Sequence, residues 1–139
     1  IAALLALDPS YIAAAGAGLP QPAALIGLSG PYGFDPTTWP STKDIFAPAP
    51  TADRIRPVAL VSGAAPPTLL IHGADDTVVE PVAAHMLEAA LAKAQVAVKK
   101  IIYPSIGHSG LIMTFAQPLR WRAPLLEDVL RFVRGVKGG

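Results

Sequence analysis

An α/β fold, with about three parallel strands flanked by helices, is what this chain of 139 residues predicts. Two observations carry the prediction. Short apolar runs at 23–28 and 68–72, and a third run at 96–103, alternate with segments of helical spacing, an order that implies a parallel sheet with helices on its faces. Hydrophobic residues make up 52% of the chain and charged residues 15%, so much of its surface must be buried.

Residues 1–7 are good helix formers with no Ser, Thr, Asp or Asn to open them, which suggests a helix already under way. Asp8-Pro9 ends that helix, because proline disfavours helical backbone at the residue before it. Residues 11–18 read as a small-residue connector. The run AALIGL at 23–28 lies between Pro22 and Ser29-Gly30-Pro31 and suits a strand covered on both faces. Residues 30–67 hold no sustained periodicity and are rich in proline. They form a long excursion loop, with short helical turns near 42–46 and 52–55. Its aromatics, Tyr32, Phe34, Trp39 and Phe46, point to ordered packing over part of its length.

Residues 68–72 form the second buried strand. A helix follows over 80–94, with Pro81 in its first turn, where a missing N–H costs nothing. Val82, Met86 and Ala90 make one apolar row, and Ala83, Leu87, Leu91 and Ala94 the adjoining one. Residues 96–103 form the third strand, whose Lys99 and Lys100 suit a sheet edge. A short helix is expected at 111–116 and a last one at 124–136. In that last helix Leu125, Val129, Phe132, Val133 and Val136 share a face, and Glu127, Asp128, Arg131 and Arg134 face water. Gly135 and the glycine pair at 138–139 let it fray.

Composition excludes several classes. The net charge is +1 with no basic run, so neither nucleic acid nor an acidic membrane surface has an electrostatic footprint. The apolar run before Asp8 is too short to span a bilayer and lacks the cationic start of a signal peptide. There is no cysteine, hence no disulfide framework and no thiolate nucleophile. No histidine spacing suggests a metal site, and no cofactor is expected.

Two stretches carry chemistry. In HGADDTVV at 72–79, Asp75 and Asp76 leave the end of one strand. In IGHSGL at 106–111, His108 leaves the end of the next. Ligands bind open parallel sheets beyond the carboxyl ends of their strands. If the two strands are neighbours, about 5 Å apart, carboxylate and imidazole can meet. The carboxylate then fixes the ring's tautomer, and the other nitrogen serves as a base. Taken singly, each has a plainer reading: the aspartates as turn and helix-start residues, and His108 as a loop histidine bonded to a carbonyl. His72 reads as a strand-end residue bonded to nearby backbone, and His85 as solvated.

These motifs resemble those of the α/β-hydrolase superfamily, in its carboxylesterase and feruloyl-esterase-like group. HGADDTVV resembles the family's HGxxDxxV signature, IGHSGL its histidine loop, and GLSGPYGF at 27–34 its strand and turn before the cap-side excursion. IAALLALDP at 1–9 is similar to the end of the helix after the nucleophile elbow. The resemblance covers essentially the whole chain and implies the C-terminal portion of that fold, as one partial domain over 1–139. Glu80 stands where the family commonly has proline.

The resemblance implies Asp76 as triad acid, with Asp75 as the one-residue alternative, and His108 as triad base. The family's nucleophile sits in G-x-S-x-G, and this sequence has no such motif. Ser29, Ser62 and Ser109 do not stand at strand-to-helix elbows. The expectation is therefore the acid-base part of a serine ester hydrolase, its serine before residue 1, its substrate a small-molecule ester, and the 139 residues inactive alone. The competing expectation is a degenerate or truncated hydrolase domain kept for binding. Peptidase and arylformamidase activity belong to the first class, because one triad serves all acyl transfers. The strand at 23–28 would keep an unpaired edge, open to self-association.

Overall fold

The computed structural model describes residues 1–16, 18–49 and 51–137, so the glycine pair at 138–139 lies outside it. Three strands form one parallel sheet in the order β1-β2-β3: β1 is Leu25–Leu28, β2 Thr68–Gly73 and β3 Val98–Tyr103. Every residue of β2 is buried, as befits the middle strand of a sheet covered on both faces.

Successive side chains on β2 go to opposite faces and build two cores. On one face Leu70 packs with Leu25, and with Leu7 of α1 (Ala2–Leu7) and Ala84, Leu87 and Leu91 of α4 (Val82–Lys93). On the other, Leu69 and Ile71 pack with Tyr103, Ile106, Leu111 of α5 (His108–Met113) and Leu125 of α6 (Leu125–Lys137). Each fully buried leucine contributes about 2 kcal/mol of transfer free energy. Tyr32 crosses β1 at Gly27, where a Cβ would stand 1.9 Å from its hydroxyl, so only glycine fits beneath the ring.

Several elements differ from the sequence expectation, each for a local reason. The connector at 11–18 is largely helical: α2 runs Pro9–Ala15, because the Asp8 side chain accepts from the Ser10 amide and caps it, with proline at the first turn. The row Val82–Met86 of α4 is exposed, and the Ala83–Leu87–Leu91 row takes the sheet. Asp128 is buried, where it accepts a 2.6 Å bond from the Tyr103 hydroxyl and one from Arg131. His85 is exposed, but its Nδ1 lies 2.6 Å from Lys100 Nζ, which also meets Glu88.

The long excursion carries a short helix, α3 (Lys43–Phe46), and two 3-10 turns at Ala52–Ile55 and Pro57–Ala59. Phe34 and Trp39 meet edge to face at 5.6 Å. An apolar groove of about 450 Å³ runs along β1, between Leu4, Ile26, Leu28, Phe34 and Phe46. Among the described residues β1 pairs on one side alone, with β2, and it bears neither lysine nor proline. No helix among the described residues is long and apolar enough to cross a membrane.

Candidate active site

The loops after β2 and β3 leave the same rim of the sheet. β2 and β3 are hydrogen-bonded neighbours in register from Thr68↔Val98 to Gly73↔Tyr103. The two loops are then tied by backbone: Ala74 N–H donates to Tyr103 O at 2.8 Å, and Asp75 N–H to Ile106 O at 3.0 Å. Gly73 permits this approach, since a Cβ there would lie 2.1 Å from the Ile106 carbonyl oxygen. Ser105 takes a left-handed φ of 55° to turn the chain. His108 follows as the first residue of α5, not as a residue of an irregular loop.

These constraints bring Asp76 and His108 together. His108 Nδ1 stands 2.8 Å from Asp76 Oδ2. The other carboxylate oxygen, Oδ1, accepts from the Val78 amide at 3.0 Å and the Val79 amide at 2.9 Å. Asp76 is therefore both a turn-forming aspartate and a histidine partner, with one oxygen for each task. Asp75 is exposed, and its side chain makes no hydrogen bond among the described residues. Of the two adjacent carboxylates, only Asp76 reaches the ring.

Burial by itself would raise the Asp76 carboxyl. The Val79 amide, the His108 ring, the Ser29 hydroxyl and the Val78 amide outweigh it and hold the group below its ordinary 3.8. The Ser29 contribution is one of proximity, since its Oγ is buried without a hydrogen bond of standard geometry. The carboxylate is accordingly a fixed anion at neutral pH, suited to orienting a base and stabilising its protonated form.

A depressed carboxyl has a definite consequence for stability. Its contribution is present above the unfolded value near 3.8 and is lost as pH falls through the lower folded value. Urea midpoints measured at pH 7 and near pH 3 should therefore show a gap between wild type and Asp76→Asn that is wider at neutral pH than in acid. An equal gap at both pH values would contradict this electrostatic account.

His108 presents its second nitrogen, Nε2, on a side chain 37% exposed, with no hydrogen-bond partner among the described residues. Three serines, set aside by their sequence context, can be placed relative to it. Ser62 and Ser109 are exposed and do not bond to it. Ser29 has the left-handed φ of 48° that a strained turn would need, but it is buried and leads into the excursion, not into a helix. Beside the Asp76 turn, Pro31, Phe34, Trp39, Val78, Val82 and Met86 line a cavity of about 430 Å³. Among the described residues, no group of three or more His, Asp or Glu could hold a metal.

A parallel sheet between two helical layers, with Asp and His meeting at its carboxyl rim, has the architecture of an α/β-hydrolase. Residues 31–135 match the prolyl oligopeptidase family, and the chain belongs to that family. Among solved structures it is similar to the carboxylesterase Cest-2923 from Lactobacillus plantarum WCFS1, with a TM-score of 0.75 and 17% identity over 96% of this chain and 53% of that one. A truncated carbohydrate esterase from gut microbiota gives 0.67 and 20% over 86% and 44%. The thermophilic esterase Est2 from the planctomycete Thermogutta terrifontis gives 0.64 and 15% over 84% and 43%. At these identities the likeness establishes a common fold. The chain spans about half the length of these relatives. No curated protein matches it by sequence.

Proposed function

We propose that this chain supplies the acid and base of a serine-hydrolase triad acting on carboxylic esters. In this reading Asp76 is the acid, His108 the base, and the nucleophile is carried outside these 139 residues. The observation that carries the reading is the 2.8 Å contact between His108 Nδ1 and a buried, saturated carboxylate, with Nε2 left open at the rim.

The mechanism follows from those two atoms. A serine hydroxyl placed against Nε2 gives its proton to that nitrogen as Oγ attacks the ester carbonyl. Asp76 stabilises the imidazolium through the Nδ1–H bond. The proton then passes from Nε2 to the departing alkoxide, leaving an acyl-enzyme. Water attacks in turn, giving its proton to Nε2, and that proton returns to serine Oγ as the acid is released. The cavity beside Trp39 and Val78 would border the apolar part of a small ester.

Two facts support a nucleophile from elsewhere: no G-x-S-x-G occurs in the sequence, and the structural relatives are about twice as long. The test is ester hydrolysis by a longer polypeptide that includes the natural sequence upstream of Ile1, compared with the 139-residue chain. Activity that depends on an upstream G-x-S-x-G serine supports the reading. A longer polypeptide with no such serine and no activity overturns it in favour of a domain kept for binding. Amide hydrolysis is the second reading, favoured by the match to the prolyl oligopeptidase family. Parallel assays on p-nitrophenyl esters and peptide p-nitroanilides separate the two.

The unguarded edge of β1 fits the same picture. Isolated, the chain should cover that edge with a second copy or with larger assemblies. Size-exclusion chromatography is expected to give a dimer or more, and a clean monomer would contradict it.

A further inference from the structure

His72 is the least expected side chain in the molecule. It stands on the central strand, in the run Leu69–Leu70–Ile71–His72, and is fully buried like its apolar neighbours. Its Nδ1 is buried and has no hydrogen-bond partner among the described residues. Filling a core position with a ring that leaves one nitrogen unpaired is costly, and an aliphatic side chain would fill it without that cost. The other nitrogen must therefore account for the residue.

That nitrogen, Nε2, lies 2.8 Å from the Val79 carbonyl oxygen and 3.3 Å from Asp76 Oδ2. A carbonyl can only accept, so Nε2 carries the hydrogen. One N–H is thus shared between the far end of the Asp76 turn and the carboxylate oxygen that meets His108. The distances complete a set: Oδ1 takes two backbone amides, and Oδ2 lies between two imidazoles, His108 at 2.8 Å and His72 at 3.3 Å. The side chains of His72 and Asp76 are both fully shielded from solvent, so water does not compete for these positions.

We propose that His72 is a positioning residue for the Asp76–His108 pair: its Nε2–H bridges the Val79 carbonyl and Asp76 Oδ2 and holds that oxygen where the His108 ring reaches it. This rests on the reading of Asp76 and His108 as acid and base. His72 touches no reacting atom. It acts by limiting the rotation of the carboxylate, and so by holding His108 in the tautomer with hydrogen on Nδ1 and a free Nε2.

The experiment is long-range nitrogen–proton correlation NMR of the three imidazoles in the 139-residue chain, near neutral pH. For wild type the expected result is His72 with its hydrogen on Nε2 and His108 with a protected hydrogen on Nδ1. A His72 hydrogen on Nδ1 overturns the inference alone, whereas a His108 without the Nδ1 hydrogen overturns the underlying pair. In His72→Leu the His108 Nδ1 hydrogen should exchange about tenfold faster, the effect of losing one hydrogen bond. His72→Gln, whose amide can place a donor near the Nε2 position, should restore protection. A folded His72→Leu with unchanged His108 exchange would leave His72 a purely structural residue and contradict the proposal. If the leucine variant does not fold, the wild-type tautomer and the glutamine variant decide the matter.

Discussion

Replacing His108 with alanine, in a form of the protein that carries the nucleophile, will lower kcat for a simple ester by on the order of 10⁶. The size follows from the geometry. His108 is the one imidazole with a nitrogen open at the rim; His72 is buried, and His85 lies on α4 against Lys100. On the proposed reading, His108 is the imidazole placed to take the serine proton. Asp76→Asn should cost about 10⁴, because asparagine keeps the shape but can offer an N–H where His108 needs an acceptor. KM for both variants should move little, since neither residue contributes to the apolar cavity beside Trp39. The check is steady-state hydrolysis of p-nitrophenyl acetate. Losses below about a hundredfold for His108→Ala would fall within what a structural disturbance alone produces.

The second large effect concerns the 139 residues by themselves. They should turn over p-nitrophenyl acetate at the background of a free imidazole. They contain the pair proposed to activate a nucleophile, and among the described residues no serine bonds to His108 Nε2. Two separate losses combine. Without the nucleophile the triad forfeits on the order of 10⁶ in turnover. Without the oxyanion donors, one of which is the amide following the nucleophile, transition-state stabilisation drops by a further ~3 kcal/mol. Turnover clearly above imidazole at the same concentration, and abolished by a serine-reactive phosphonate, would contradict this.

The parts of the molecule legible in the sequence are those governed by strong local rules. β2 could be read because an apolar run bounded by Pro67 and Gly73 has few other destinations. α4 was visible as a helix, but its buried row was not: Val82–Met86 and Ala83–Leu87 are both apolar, and only tertiary packing decides that the second meets the sheet. α2 was missed because its alanine-rich stretch lacks periodicity, although the Asp8-Pro9 start is itself a capping signal. The burial of Asp128 could not be seen from helix spacing, since its partner, Tyr103, lies 25 residues away on β3.

The site divides in the same way. Asp76 and His108 were legible as residues leaving successive strand ends, and of the two adjacent carboxylates it is Asp76 that meets the ring. Ser29 and His72 were not legible as neighbours of Asp76. Their place beside it depends on burial around one carboxylate, and in sequence each resembles an ordinary strand-end residue. The available signal is His72 itself, a titratable side chain directly after the apolar run Leu69–Ile71 of the central strand.

The most direct test of the central claim is the site of covalent labelling by a fluorophosphonate. Labelled protein, with the natural sequence upstream of Ile1 included, is digested and the modified peptide located by mass spectrometry. A single modified serine within G-x-S-x-G and before residue 1, unlabelled when His108 is alanine, is the predicted result. Rapid, His108-dependent labelling of a serine inside the 139 residues, Ser29 or Ser109 included, would contradict it.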